Sequence, residues 1–160
     1  MKHRWIIVAL ALVAASGFAV AAVAGRWWSI SDVAEIGPFR TIRCFGTGDD
    51  CQSAGLGWIG GTERWMRTGM GAWAGCLIAT FVLCVTAAAV AAKRIPKLAA
   101  KTALVAIATA GVAGIAFIVQ FPGVDGAKTD RGIYLFATGI VLGVTAAIAV
   151  LRARPPGVES

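Results

Sequence analysis

Four cysteines, a single histidine and eight acids are the residues of this 160-residue chain from which chemistry would have to be built. Cys44 and Cys51 flank Gly46-Thr47-Gly48-Asp49-Asp50, a turn-forming stretch that lets them face one another across two strands. In an oxidising compartment such a pair forms a disulfide, and closing so short a loop contributes roughly 2.5 kcal/mol in the chain-entropy model. A catalytic dithiol is usually a close C-x-x-C pair, which lowers one thiolate pKa. Six residues separate these two, so the pair reads as a structural bridge. Cys76 and Cys84 stand at i and i+8, about 12 Å apart along a helix, too far to bond to each other, and read as small packing residues. The only histidine is His3, and there is no H-E-x-x-H, no Gly-rich phosphate loop and no Ser/His/Asp set. No catalytic residue, metal or cofactor is expected.

The elements that must hold these residues are set by hydrophobicity. The chain is 58% hydrophobic and 14% charged, where soluble domains carry about 25% charge. Its apolar residues gather into four runs, 5–25, 65–92, 102–121 and 132–151, joined by connections 26–64, 93–101 and 122–131, with a tail at 152–160. The first run has 21 residues without a charge, about 31 Å of helix against a hydrocarbon core of about 30 Å. The second is longer than a bilayer needs and is expected to tilt or to project by a turn or two. No Asp, Glu, Lys, Arg or His lies within these runs once Arg67 is assigned to the interface, which argues against ion pathways, proton relays and bis-histidine haem.

Charge assigns the sides. Lys2, Arg4, Lys93, Arg94, Lys97, Lys101, Arg152 and Arg154 face one acid, Glu159, so the face with both termini carries the whole net charge of +7. The opposite face carries seven cations and seven acids. The positive-inside rule makes the charged face cytoplasmic and sends 26–64 and 122–131 outward. The basic excess therefore reports orientation, and nucleic acid is not an expected partner. Lys2, Arg4 and the later Ala22-Val23-Ala24 also match a signal peptide with its cleavage site, but the apolar run exceeds the usual 7 to 15 residues, so a retained span is expected.

The long outer connection alternates short β-branched or aromatic stretches with Gly, Pro and Asp, the pattern of a small antiparallel sheet. Within the spans, Gly71 with Gly75, Gly139 with Gly143, and Ala110 with Gly114 form small-x-x-x-small faces that let helix backbones approach closely. The expected fold is thus a membrane all-α four-helix bundle carrying a small extracytoplasmic β-sheet. Trp27, Trp28 and Trp65 sit where interfacial anchors are found. Trp27 and Trp58 are also candidates for contact with a partner, Trp58 standing between glycines in Gly55-Leu56-Gly57-Trp58-Ile59-Gly60-Gly61.

Trp28, then Gly37-Pro38-Phe39, then Cys44 and Cys51, with Arg67 opening the second span and Gly132-Ile133-Tyr134-Leu135 entering the fourth, make this chain resemble the claudin superfamily. That superfamily includes claudins, the peripheral-myelin and epithelial-membrane proteins and the gamma subunits of ion channels. Pro38 and Phe39 stand where its triplet has Leu and Trp, four residues separate Phe39 from Cys44 where the family usually has two, and the Trp28–Gly37 and Cys44–Cys51 intervals are shorter than the family's. The resemblance implies a sheet packed above the bundle and a non-enzymatic protein. Its outer loop would contact a second copy, a neighbouring cell or a larger membrane protein, in adhesion, barrier formation or an accessory-subunit role. Two alternatives come from other classes: a four-span envelope thiol oxidoreductase using Cys44 and Cys51, and a small structural subunit of an unrelated membrane complex.

Overall fold

The computed structural model describes residues 3–31, 33–44 and 51–153. The turn expected within 46–50 and the tail beyond residue 153 lie outside the described residues. Four long helices, α1 (Arg4–Val23), α2 (Glu63–Ala91), α3 (Lys97–Val119) and α4 (Arg131–Arg152), are each long and apolar enough to cross a membrane. Five short strands, β1 (Trp28–Ile30), β2 (Ala34–Ile36), β3 (Thr41–Cys44), β4 (Cys51–Ala54) and β5 (Ala127–Thr129), form one antiparallel sheet in the order β4-β3-β2-β1-β5. A single 3-10 turn, Leu56–Ile59, links β4 to α2.

Local chemistry starts the helices. The Thr62 hydroxyl accepts from the Trp65 N–H at 3.2 Å, with Glu63 in the first turn suiting the helix dipole. At α4 the Asp130 carboxylate caps by accepting from the Arg131 N–H at 2.6 Å. Pro96 precedes α3, which begins at Lys97 rather than at Thr102. Lys97 and Lys101 belong to the helix's first turns instead of the connection, because long cationic side chains can extend from a helix end to water. The connection between α2 and α3 therefore shrinks to residues 92–96. Residues 122–131 are also more than a loop, since β5 pairs with β1 in the register Trp28↔Thr129 and Ile30↔Ala127.

In the bundle α1 packs on α2 and α4, while α3 packs on α2 and, less extensively, on α4. Alanine is the commonest residue of the core and lies at many of the helix contacts, so helix separation is set largely by small residues. A methyl built on Gly75 would lie 2.8 Å from the Ala110 Cα, making that pair the closest approach of α2 and α3 among the small residues named from sequence. Gly114 makes room for the Phe136 ring, Gly139 lies against Phe18, and Gly143 receives Ile107 and Leu83. Gly71 is half-buried, and a methyl there would meet only the Ala113 methyl at ordinary contact distance. Gly17 on α1 and Gly69 on α2 belong to the same close-packed set, Gly17 facing the Leu135 carbonyl and Gly69 the Pro38 carbonyl.

Candidate functional site

The sheet is seated on the bundle by an aromatic cluster. Gly25, where a side chain would strike the last turn of α1, lets the chain leave the helix so that Trp27 turns inward. Its backbone is fixed on two sides: the Trp27 N–H donates to the Ile36 carbonyl at 2.8 Å, and the Trp27 carbonyl accepts from the Asp130 N–H at 2.9 Å. The indole N–H donates to the Ala21 carbonyl at 3.0 Å, so the one polar atom of the buried ring is satisfied. Trp27 then packs against Phe136 and Phe117, with centroids at 4.9 and 5.6 Å. Trp28 stacks on Phe121 at 4.3 Å. Trp65 stacks on Phe117 at 4.8 Å and donates its indole N–H to the Phe117 carbonyl at 3.0 Å.

This corrects the reading of three tryptophans. Trp27 and Trp65 are 0% exposed and Trp28 is 4% exposed. None is a lipid-interface anchor, and Trp27 is not a surface for a partner. Phe117 in the last turn of α3 and Phe121 just beyond its end supply much of the surface that buries them. Sequence reasoning passed over these two, although their i, i+4 spacing was the available signal.

Gly37-Pro38-Phe39-Arg40 forms the turn between β2 and β3, closed by the Gly37 N–H donating to the Arg40 carbonyl at 2.9 Å. The turn leans on α2: Pro38 is fully buried with its carbonyl against Gly69, and Phe39 stacks on Trp73 at 4.8 Å. Gly37, Pro38 and Phe39 thus form the second attachment of the sheet to the bundle. Arg67 is not part of either attachment. It is exposed and pairs with Glu63 one turn earlier on its own helix at 2.5 Å.

Cys44 and Cys51 are directly opposed across β3 and β4 and are joined by a disulfide, with a Cα separation of 4.0 Å. Strand β4 ends the sheet, and its first three residues are exposed. Trp58, four residues after β4 and 43% exposed, has the guanidinium of Arg43, the cross-strand neighbour of Gln52 in β4, 4.7 Å from its ring centroid. Leu56, buried in the same 3-10 turn, plugs the segment into the core while Trp58 points away. Among the described residues, this edge combines a strand with no partner on its outer side, a nearby exposed indole and a covalent crosslink.

At the opposite margin of the sheet Asp130 links β1 to α4. Its carboxyl is held below the ordinary carboxylate range chiefly by the Arg131 backbone N–H, with help from the Ser29 hydroxyl and from the charges of Arg26 and Arg131. Arg26 itself pairs with Glu35 at 2.6 Å.

A scan against protein-family models gives no match, and a search of the curated proteins gives none.

Proposed function

We propose that this chain is a non-enzymatic, claudin-like integral membrane protein whose sheet makes protein–protein contacts, in adhesion or barrier formation or as an accessory subunit. The observation that carries the reading is the exposed β4 edge with Trp58 beside it, on a sheet attached to the bundle at two places. An uncovered strand edge is a template for another strand, and an exposed tryptophan beside it supplies the apolar area that such contacts use. The disulfide crosslinks that edge in a hairpin too small to have its own core, which supports a binding surface that keeps its shape. The order Trp28, Gly37-Pro38-Phe39, Cys44, Cys51 supports the family resemblance, and the buried tryptophan and the anchored turn give those residues structural work in common. The concentration of basic residues on the face bearing both termini supports an outward-facing sheet.

The test is purification of the tagged, full-length protein in mild detergent, with the intact mass and every co-purifying chain identified by mass spectrometry. Photocrosslinking from Gln52 or Trp58 would then locate the contact. Self-association through β4 or a stoichiometric larger membrane protein crosslinked there is expected. A monomer that crosslinks to nothing from either position, in its native membrane, would overturn the reading.

A further inference from the structure

A cavity of about 250 Å³ opens where the last turn of α1, the β2–β3 turn and α2 meet. Its position relative to a bilayer follows from helix length. At 20 residues and ~1.5 Å per residue, α1 matches a ~30 Å hydrocarbon core, so its sheet end at Val23 marks the edge of that core, and Trp73 of the longer α2 lines the same cavity as Val23. This puts Trp73 at the boundary between acyl chains and headgroups, level with the end of α1 at Val23. The cavity lies at that boundary.

Its walls match the position. On the bundle side Val23, Phe39 and Trp73 are apolar, Val23 and Phe39 are exposed, and the stacked Phe39–Trp73 pair forms a flat side. On the sheet side the wall is charged. Arg26 and Glu35 neutralise one another at 2.6 Å, whereas the exposed side chain of Arg40 has neither an ion pair nor a side-chain hydrogen bond among the described residues. Among the described residues, the lining thus carries one positive charge without an ion pair, next to the exposed apolar side chains of Val23 and Phe39. Pockets for drug-sized ligands usually measure about 300–1,000 Å³. This one is smaller, and suits a headgroup and the first methylenes of a molecule whose remaining length lies outside.

We infer that the cavity is a phospholipid site of the sheet-side leaflet, with Arg40 binding the phosphodiester while Val23, Phe39 and Trp73 hold the glycerol end of the acyl chains. A guanidinium and a phosphodiester form charge-assisted, often bidentate hydrogen bonds, and the site leaves the chains in continuity with the bilayer. The inference requires only that the helices cross a membrane and is independent of any protein contact at β4.

Native mass spectrometry of the delipidated full-length protein titrated with phosphatidylglycerol tests it. One retained lipid per chain is expected, with dioleoylglycerol, which lacks the phosphate, retained far less. Arg40→Gln is expected to weaken retention about tenfold or more, the effect of losing one charge-assisted contact, and Arg40→Lys to restore part of it. Val23→Trp, which fills the apolar side of the cavity, is expected to abolish retention. Helicity and the intact disulfide serve as folding controls in each variant. Equal retention by the Arg40→Gln protein, equal retention of dioleoylglycerol, displacement of the lipid by inorganic phosphate at the lipid's own concentration, or a polypeptide crosslinked into the cavity instead of lipid would each overturn the inference.

Discussion

Trp27 and Trp58 stand at the two ends of the sheet's relation to the bundle. Trp27 is buried among Phe117, Phe136 and Trp28, its N–H satisfied by the last turn of α1. Trp58, four residues after the outermost strand, keeps 43% of its surface exposed, with the Arg43 guanidinium over its ring. The same side chain thus closes a core in one place and presents a surface in the other. What separates them is the backbone around them: Gly25 turns Trp27 inward beneath paired strands, whereas Leu56 takes the core position next to Trp58. A tryptophan's role here is set by its neighbours' ability to cover it.

That contrast can be broken most severely at its buried side. Trp65→Ala removes a fully buried ring and its hydrogen bond to Phe117, and is expected to cost about 3–5 kcal/mol, read as a large fall in thermal stability in detergent. Next in size is Cys51→Ser, expected to cost roughly 2.5 kcal/mol at the free edge while the aromatic junction stays packed. Its signature is raised amide exchange in β3 and β4, with protection of Trp28 and Trp65 unchanged. An unaltered exchange pattern would show that the edge holds its shape without the crosslink.

Trp58→Ala sharpens the comparison from the exposed side. It is expected to change stability by no more than about 1 kcal/mol, the size of an exposed cation–π contact, while lowering recovery of the partner or of the self-associated form. Loss of fold in this variant would mean that Trp58 belongs to the core after all. The smallest effect concerns Asp130. Its folded pKa lies below the ordinary 3.8, so its contribution is present above that value and is lost as pH falls through the lowered one. Melting curves of parent and Asp130→Asn are expected to converge in that acid range and to differ slightly above it.

The four apolar helices and the cysteine bridge were legible in the sequence because each rests on a local signal: uninterrupted hydrophobicity in one case, turn residues between two cysteines in the other. The start of α3 was not, since Lys97 and Lys101 look like connection residues although the helix backbone runs beneath them. Strand β5 was invisible for a different reason. Ala127-Lys128-Thr129 is too short to carry a period, and it is a strand only because β1 offers it an edge. The burial of Trp27 depended on Phe117, ninety residues away, which no local pattern connects to it. The small-residue faces were readable as close-packing stripes, but which residue filled each one, such as Phe136 over Gly114, required the helices to be placed.

The pairing of β5 with β1 also orders events during synthesis. Strand β1 emerges soon after the first helix, but its outer partner is made roughly a hundred residues later, after the third. At a synthesis rate of about 5–20 residues per second, that edge stays open for several seconds or longer. Trp27 and Trp28 wait equally for Phe117. Until then the nascent chain displays an unfinished strand and two uncovered indoles, so the sheet and its aromatic seat can close only after the third helix has been made.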